Sequence, residues 1–189
     1  MNAMDTSSAE PQWGVLSALP GNPIMWVLII SEMLVFGAFF LGFAAARMRD
    51  PATFQAGQAS LDVIAGGLNT LILVTSGYCV ARAVRARALG QGIHRWLAAG
   101  MALGVAFLAV KGHEYGREFA AGHNIDSDTF FTLFFLITGF HALHVVMGLC
   151  VLAIVAWRDS LENLETGAAF WHMVDLVWLI LFPLVYLLR

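Results

Sequence analysis

The sequence predicts an all-α, polytopic membrane protein, a bundle of five transmembrane helices. Of its 189 residues, 59% are hydrophobic and 12% are charged, whereas soluble proteins carry roughly 25% charged residues. The mean hydropathy is +0.75. The stretch from Thr129 to Trp157 contains no Asp, Glu, Lys or Arg, and it is longer than the ~20 apolar residues that cross a bilayer. Further apolar runs predict four more spans, and the length leaves room for a single domain.

The chain divides into a tail and a membrane domain. Residues 1–23 are predicted to be a polar N-terminal tail, because they contain two acidic residues but no Lys or Arg, unlike the positive start of a signal peptide. Residues 24–189 are predicted to be the five-helix transmembrane domain. Its spans are expected at about 24–46, 63–81, 96–115, 130–157 and 168–188. Residues 47–60 are expected to form a polar loop, in which Asp50-Pro51 breaks the first helix.

The basic residues of the short loops predict the orientation. The formal net charge of −3 offers no basis for binding nucleic acid. Each side of the membrane receives five basic residues, but one predicted loop concentrates four arginines, at positions 82, 85, 87 and 95. Because cytoplasmic loops carry an excess of Lys and Arg, we expect a cytoplasmic N terminus and a periplasmic C terminus. The side chains expected at the membrane interface are Arg82, Arg85, His113 and Glu114.

Ionisable side chains inside the apolar spans are the candidate functional residues. They are Glu32 in the first span, His141 and His144 in the fourth, and His172 and Asp175 in the fifth. Side chains three positions apart share one helix face, and ionisable groups at bilayer depth usually face the bundle interior. Counted along the helices, these residues fall within roughly two turns of a common depth. We therefore expect a polar cluster that links the first, fourth and fifth spans.

The residues alone leave more than one role open for this cluster. His141 and His144 fit interhelical hydrogen bonding, and together with His172 they also fit loosely as haem or metal ligands. A zinc or di-iron site favours more carboxylates at Glu-x-x-His spacing, and no His stands at that spacing from Glu32. Glu32 itself fits either a structural buried acid or a group in proton transfer or lipid binding.

Four motifs in order along the chain carry a family resemblance. They are WVLIISEMLVF at 26–36, KGHEY at 111–115, FTLFFLITGFHALHV at 131–145, and FWHMVDLVWLILFPLVY at 170–186. Together they resemble subunit III of the haem-copper respiratory oxidases. The chain is similar to the short, five-helix branch, which includes subunit III of cytochrome o ubiquinol oxidase and a small protein associated with nitric oxide reductase. The seven-helix form has two additional N-terminal helices that this sequence lacks.

The resemblance implies an accessory subunit without catalytic residues. Such a subunit carries no haem, copper or other metal of its own, since the haem and copper belong to a partner subunit. The implied partners are oxidase subunits I and II and membrane phospholipid, and the implied location is the bacterial inner membrane. The implied role is to support assembly, lipid binding and proton uptake by subunit I.

The resemblance also assigns expectations to individual residues. The carboxylate that matches Glu32 is associated in the family with carbodiimide reactivity, and His141, His144, His172 and Asp175 match a polar scaffold. Two alternative functions remain. One is an accessory subunit of a nitric oxide reductase in denitrification. The other is an independent membrane protein that binds haem or metal through its histidines.

Overall fold

The computed structural model describes residues 23–158 and 160–188, and this part of the chain is almost entirely helical. The elements are α1 (Pro23–Arg49), α2 (Pro51–Ser60), α3 (Val63–Ala88), α4 (His94–Ala120), α5 (Thr129–Arg158) and α6 (Leu161–Phe182), which continues into a π-helical turn (Pro183–Leu187). Within the described residues, five helices are long and apolar enough to cross a membrane, namely α1 and α3 to α6. The predicted tail lies outside the described residues, apart from Pro23.

The membrane-spanning helices extend beyond their predicted bounds. Helix α3 continues to Ala88, so Arg82, Arg85 and Arg87 lie on its last turns and not in a loop. Helix α6 begins at Leu161 and not near residue 168. Hydropathy locates only the apolar centre of a helix. Arginine is a good helix former, and a basic side chain near a helix C terminus interacts favourably with the helix dipole.

The expectation of a polar loop at residues 47–60 is wrong for most of that segment, which forms α2. The Asp50 carboxylate caps this helix by accepting hydrogen bonds from the Thr53 backbone N–H, at 3.3 Å, and from its hydroxyl, at 2.6 Å. These bonds lower the pKa of Asp50. Pro51 occupies the first helical position, where its missing N–H does no harm. The Asp-Pro pair that predicts a break therefore ends one helix and starts another.

Helix α2 is held to the bundle by aromatic packing. Phe54 is completely buried. Its ring centroid lies 5.0 Å from that of Phe43 on α1 and 5.6 Å from that of Phe130 on α5, with both pairs edge to face. The Gln58 amide donates a hydrogen bond to the carbonyl oxygen of Val185 in the π-helical turn, at 2.9 Å. Thus α2 ties the end of α1 to the C-terminal end of α6.

The centre of the bundle is packed around Trp171 of α6. Its indole N–H donates to the Ser76 hydroxyl of α3 at 3.2 Å, and that hydroxyl donates to the carbonyl oxygen of Gly100 on α4 at 2.7 Å. A Cβ added at Gly104 of α4 or Gly148 of α5 would come within 2.7 Å of the indole ring. These two glycines therefore allow α4 and α5 to approach the large side chain closely.

Helix α1 lies at the edge of the bundle. Over residues 24–49 of this helix, three side chains are buried, namely Ile29, Phe36 and Phe43, which follow one another at seven-residue spacing. Seven residues are close to two helical turns, so the buried side chains lie on one line along the helix, and Met33 and Phe39 are partly buried beside them. The opposite face of the helix is largely apolar and exposed, as at Leu34 and Leu41, which are 71% and 74% exposed.

Candidate functional site

Glu32 and His144 form a hydrogen-bonded pair between α1 and α5. His144 Nε2 lies 3.1 Å from Glu32 Oε2, and His144 Nδ1 lies 2.8 Å from the carbonyl oxygen of Phe140 on its own helix. A carbonyl oxygen can only accept, so Nδ1 carries a proton. One further proton is then shared between Nε2 and Oε2. Whichever atom holds it, the pair has no net charge, which suits a site inside a membrane.

The pair lies at the lateral surface of the bundle, and its two side chains differ in exposure. The His144 side chain is 5% exposed, whereas the Glu32 side chain is 20% exposed. The buried ring of Phe36, one turn further along α1, packs edge to face against the imidazole with ring centroids 5.2 Å apart. The carboxylate therefore has a fixed partner on one side and an open lateral surface on the other.

His141 points to a different region from His144. It is buried between α4 and α6, with its ring centroid 5.6 Å from that of Phe107 and 5.2 Å from that of Trp178. Neither of its ring nitrogens has a hydrogen-bond partner among the residues that the structure describes. The two histidines share one side of α5 but do not share a partner.

His172 and Asp175 form a looser pair on α6. His172 Nδ1 lies 3.6 Å from Asp175 Oδ2, which is longer than a hydrogen bond. The His172 side chain is 45% exposed and that of Asp175 is 10% exposed. The carboxylate packs directly on Gly77 of α3, where an added Cβ would collide with Oδ2.

The expected single cluster is thus divided. The pair of Glu32 and His144 joins the first and fourth predicted spans, but His172 and Asp175 face α3, and no hydrogen bond joins them to that pair within the described residues. Similar depth along the helices is not sufficient for contact. His172 and Asp175 lie against Gly77 of α3, whereas the partner of Glu32 is on α5.

An apolar groove runs beside His172. It has a volume of about 590 Å³ and lies between α1, α3 and α6. Its walls include Trp26, Met33, Val84 and Met173, and its polar groups are His172 and Glu165. A second cavity, of about 390 Å³, adjoins it at His172 and is lined by Asp175 and Gly77 among others.

A buried cluster of Lys111, Glu114 and Tyr186 was not expected from the sequence. The Lys111 ammonium donates to Glu114 Oε2 and to the Tyr186 hydroxyl, both at 2.7 Å. The Tyr186 hydroxyl donates in turn to Glu114 Oε1, at 2.7 Å. The ammonium also lies over four aromatic rings, with the Phe134 centroid 4.6 Å away.

Glu114 is 6% exposed and Lys111 is 2% exposed, so both side chains face the bundle interior, and the depth of Glu114 relative to the lipid head groups remains a prediction. Two opposite charges one helical turn apart can enter the interior together because each compensates the other. The spacing within KGHEY predicts that these side chains share a face of α4. Nothing in the local sequence indicates Tyr186, which is 72 positions away from Glu114.

The other three residues expected at the interface are all exposed. Arg82 and Arg85 lie near the C-terminal end of α3, and His113 lies on the last turns of α4. Their place relative to the lipid head groups remains a prediction.

The arrangement of the histidines does not fit a haem or metal centre. Both ring nitrogens of His144 are engaged, His141 is enclosed by aromatic rings, and His172 faces the apolar groove. Within residues 23–158 and 160–188, no group of three or more His, Cys, Asp and Glu side chains is placed to hold a metal ion.

The fold and the intramembrane polar groups define a multi-pass, all-helical membrane protein. Comparison with known proteins specifies its family. The family model described as cytochrome c oxidase subunit III matches residues 21–189. The chain belongs to the cytochrome c oxidase subunit III family, and the resemblance carried by the four sequence motifs is confirmed.

Individual relatives agree with this assignment. "Cytochrome c oxidase subunit 3" of Synechocystis sp. is 31% identical over 173 residues, which cover 86% of this chain and 73% of the relative. The protein of the same name from Thermostichus vulcanus is 30% identical over 198 residues, covering 98% and 92%. "Probable cytochrome c oxidase subunit 3" of Mycobacterium bovis is 28% identical over 176 residues, covering 88% and 86%.

Proposed function

We propose that the chain is an accessory, non-catalytic subunit of a bacterial haem-copper terminal oxidase, and that it contributes to aerobic respiratory electron transport by supporting assembly, lipid binding and proton uptake. Its partners in this proposal are oxidase subunits I and II, which hold the haem and copper. Membership of the subunit III family supports an accessory role in an oxidase. The relatives described above are named as cytochrome c oxidase subunits, which favours an oxidase over a nitric oxide reductase.

The observation that carries the proton-related part of this proposal is the position of Glu32. Its carboxyl group is held by His144 and is partly open on the outer side of α1. A proton can move between Oε2 and Nε2 without changing the net charge of the pair, so the move avoids the cost of an isolated charge in hydrocarbon. We propose that α1 faces subunit I and that the pair holds a proton beside that contact.

The groove between α1, α3 and α6 is the proposed place for a bound phospholipid. Because its walls are apolar, an acyl chain can fill the groove without burying polar groups that lack hydrogen-bond partners. The polar side chains of Glu165, near the start of α6, and His172, deeper along the same helix, mark two levels of the groove. An acyl chain in this position would contact both α1, at the edge of the bundle, and the more central helices α3 and α6.

The proposed location is the bacterial inner membrane, with the N terminus in the cytoplasm and the C terminus in the periplasm. The arginine-rich end of the α3–α4 hairpin supports this orientation. Helices α1, α4 and α6 begin at that end, because consecutive spans alternate in direction.

Copurification tests the proposed partners. The full chain with a C-terminal tag is isolated in mild detergent, and the copurifying chains are identified by mass spectrometry alongside a visible spectrum. We expect oxidase subunits I and II, with a haem spectrum that belongs to subunit I. If nitric oxide reductase chains copurified in their place, the protein would instead be assigned as an accessory subunit in denitrification. A haem spectrum from the chain without any partner would contradict an accessory role.

The role of Glu32 is tested in the complex with Glu32→Gln. We expect nearly unchanged haem content and initial oxygen consumption, followed by a faster decline of activity during sustained turnover, because the amide cannot exchange a proton with His144. Glu162→Gln is the matched control, since this exposed carboxylate on the first turn of α6 lies outside the groove, and it should leave the decline unchanged. Immediate loss of haem, or a lifetime equal to that of the wild type, would contradict the proposed proton role.

A further inference from the structure

The turn between α3 and α4 carries a cluster of arginines. Arg82, Arg85 and Arg87 lie on the last turns of α3, and Arg95 lies on the first turn of α4. Between residues 63 and 113 the sequence contains no Asp or Glu. Arg82, Arg85 and Arg95 form no ion pair with any carboxylate in the part of the chain that the structure describes.

Trp96 organises two of these side chains. The guanidinium carbon of Arg82 lies 4.8 Å from the centroid of the Trp96 ring, and that of Arg95 lies 5.3 Å away. These are cation–π distances. Arg82 also donates to the Tyr78 hydroxyl at 3.4 Å. The two guanidinium groups are thus held beside the same ring.

A small recess opens between these side chains. It has a volume of about 50 Å³, and its lining includes Arg82, Arg85, Arg95, Trp96 and Gln91. The N terminus of α4 adds to the positive potential, because Ile93 provides no side-chain cap. A planar guanidinium group can donate two parallel hydrogen bonds to two oxygens of one phosphate. The recess therefore has the chemistry of a site for one phosphate group.

An exposed apolar row leads from this recess along α3. Tyr78, Val74 and Leu71 follow one another at helical spacing from Arg82, and they are 56%, 45% and 67% exposed. One face of α3 therefore carries an apolar strip that ends in arginine. A ligand with an anionic head and an apolar chain matches both parts of that face.

We propose that the Arg82–Arg85–Arg95–Trp96 recess binds the phosphate of an anionic phospholipid, whose acyl chain lies along the outer face of α3. The recess shares no lining residue with the groove between α1, α3 and α6. The apolar row comes closer to that groove, because Val74 and Tyr78 also line the second cavity that adjoins it at His172. The recess lies at the ends of two membrane-spanning helices, where Trp side chains and lipid head groups meet. Basic pockets between transmembrane helices bind such head groups.

The experiment measures head-group selectivity. The full chain, with any subunits that copurify, is placed in mixed micelles that contain phosphatidylglycerol and phosphatidylcholine with identical acyl chains, and the bound lipids are counted by native mass spectrometry. We expect a preference for phosphatidylglycerol. Since each arginine near the surface contributes about 1 kcal/mol, Arg82→Gln and Arg95→Gln should each lower this preference by about fivefold. Arg49→Gln, an exposed arginine at the far end of α1, should leave it unchanged.

A charge-retaining variant separates binding from membrane insertion. Arg82→Lys/Arg95→Lys keeps the positive charges that orient the chain but loses the paired guanidinium hydrogen bonds, so it should keep part of the preference for phosphatidylglycerol, whereas the double Gln variant should lose it. The same result with both double variants would overturn the proposal. So would equal binding of the two lipids by the wild type, or displacement of phosphatidylglycerol by inorganic phosphate. Loss of copurifying subunits from the Gln variants, without lipid selectivity in the wild type, would assign the recess to a protein interface.

Discussion

The two polar clusters inside the bundle differ in how completely the chain itself encloses them. Lys111, Glu114 and Tyr186 are buried and are hydrogen-bonded to one another. Glu32 has one partner, His144, and part of its side chain is open at the lateral surface. The polar groups of the enclosed cluster find their hydrogen-bond partners as soon as this chain folds. The open pair acquires its full surroundings only when a neighbouring subunit or lipid covers α1.

Because of this difference, substitutions in the two clusters should have different consequences for the protein. A buried ion pair adds little net stability, but removing one partner is costly because the other charge is left in a medium of low dielectric constant. At the open pair, lipid or a partner subunit can accommodate part of the change. We therefore expect substitutions in the enclosed cluster to affect folding, and substitutions at the open pair to affect the complex.

The largest effect is expected for Lys111→Met. The substitution leaves the Glu114 carboxylate buried without its cation, so the free energy of unfolding should fall by about 3–5 kcal/mol. The measurement is unfolding of the purified chain in detergent, followed by circular dichroism. Glu32→Gln provides the comparison from the open pair, since its amide can still donate to His144 and should change stability by less than about 1 kcal/mol.

A double variant tests whether the cost arises from the unpaired charge. Lys111→Met combined with Glu114→Gln removes both charges and should recover part of the lost stability. If the double variant is less stable than the sum of the two single variants predicts, the cluster is not held by charge compensation. If Lys111→Met and Glu32→Gln lowered the free energy of unfolding equally, the two clusters would not differ in the way described.

An intermediate effect is expected for Gly77→Ala. The new methyl group would collide with the Asp175 carboxylate, so α3 and α6 must separate or Asp175 must turn toward the groove. Overpacking of this kind costs about 1–3 kcal/mol, and the same unfolding measurement detects it. The matched control is Gly67→Ala on the same helix, where the added carbon meets only an ordinary contact at 3.9 Å from Phe182. Equal stability of the two variants would show that Asp175 rearranges freely.

The smallest effect is expected for Asp62→Asn, outside the membrane-spanning helices. The pKa of Asp62 is lowered, first by the hydrogen bond from the Ala65 N–H and then by Arg117, whose guanidinium donates to Oδ2 at 3.1 Å. A lowered pKa in the folded state gives stability that is present above the unfolded pKa of about 3.9 and is lost as the pH falls through the folded value. Asparagine still caps α3, so at neutral pH the loss should stay below about 1 kcal/mol.

The pH dependence provides the check on Asp62. The difference in unfolding temperature between Asp62→Asn and the wild type should be largest near neutral pH and should vanish in acid. Asp50 also has a lowered pKa, but it is present in both proteins and cancels in the difference. A difference that stays constant from neutral pH into acid would show that the charge of Asp62 does not contribute.

The sequence by itself determined the five membrane-spanning helices, because each apolar run is long enough to satisfy its own backbone hydrogen bonds in lipid. It also identified Glu32 and His144 as candidate partners, since ionisable groups in such runs are rare and face inward. Both inferences depend only on neighbouring residues and on the distance along a helix.

Only the tertiary structure decided which polar groups meet. His172 and Asp175 lie against α3 and Glu32 pairs with α5, and the π-helical turn after Phe182 places Tyr186 beside Lys111. Helix α2 was also missed, because its aromatic contacts come from α1 and α5. A residue's depth follows from its position in the span, whereas its partner depends on how each helix is rotated and packed against the others.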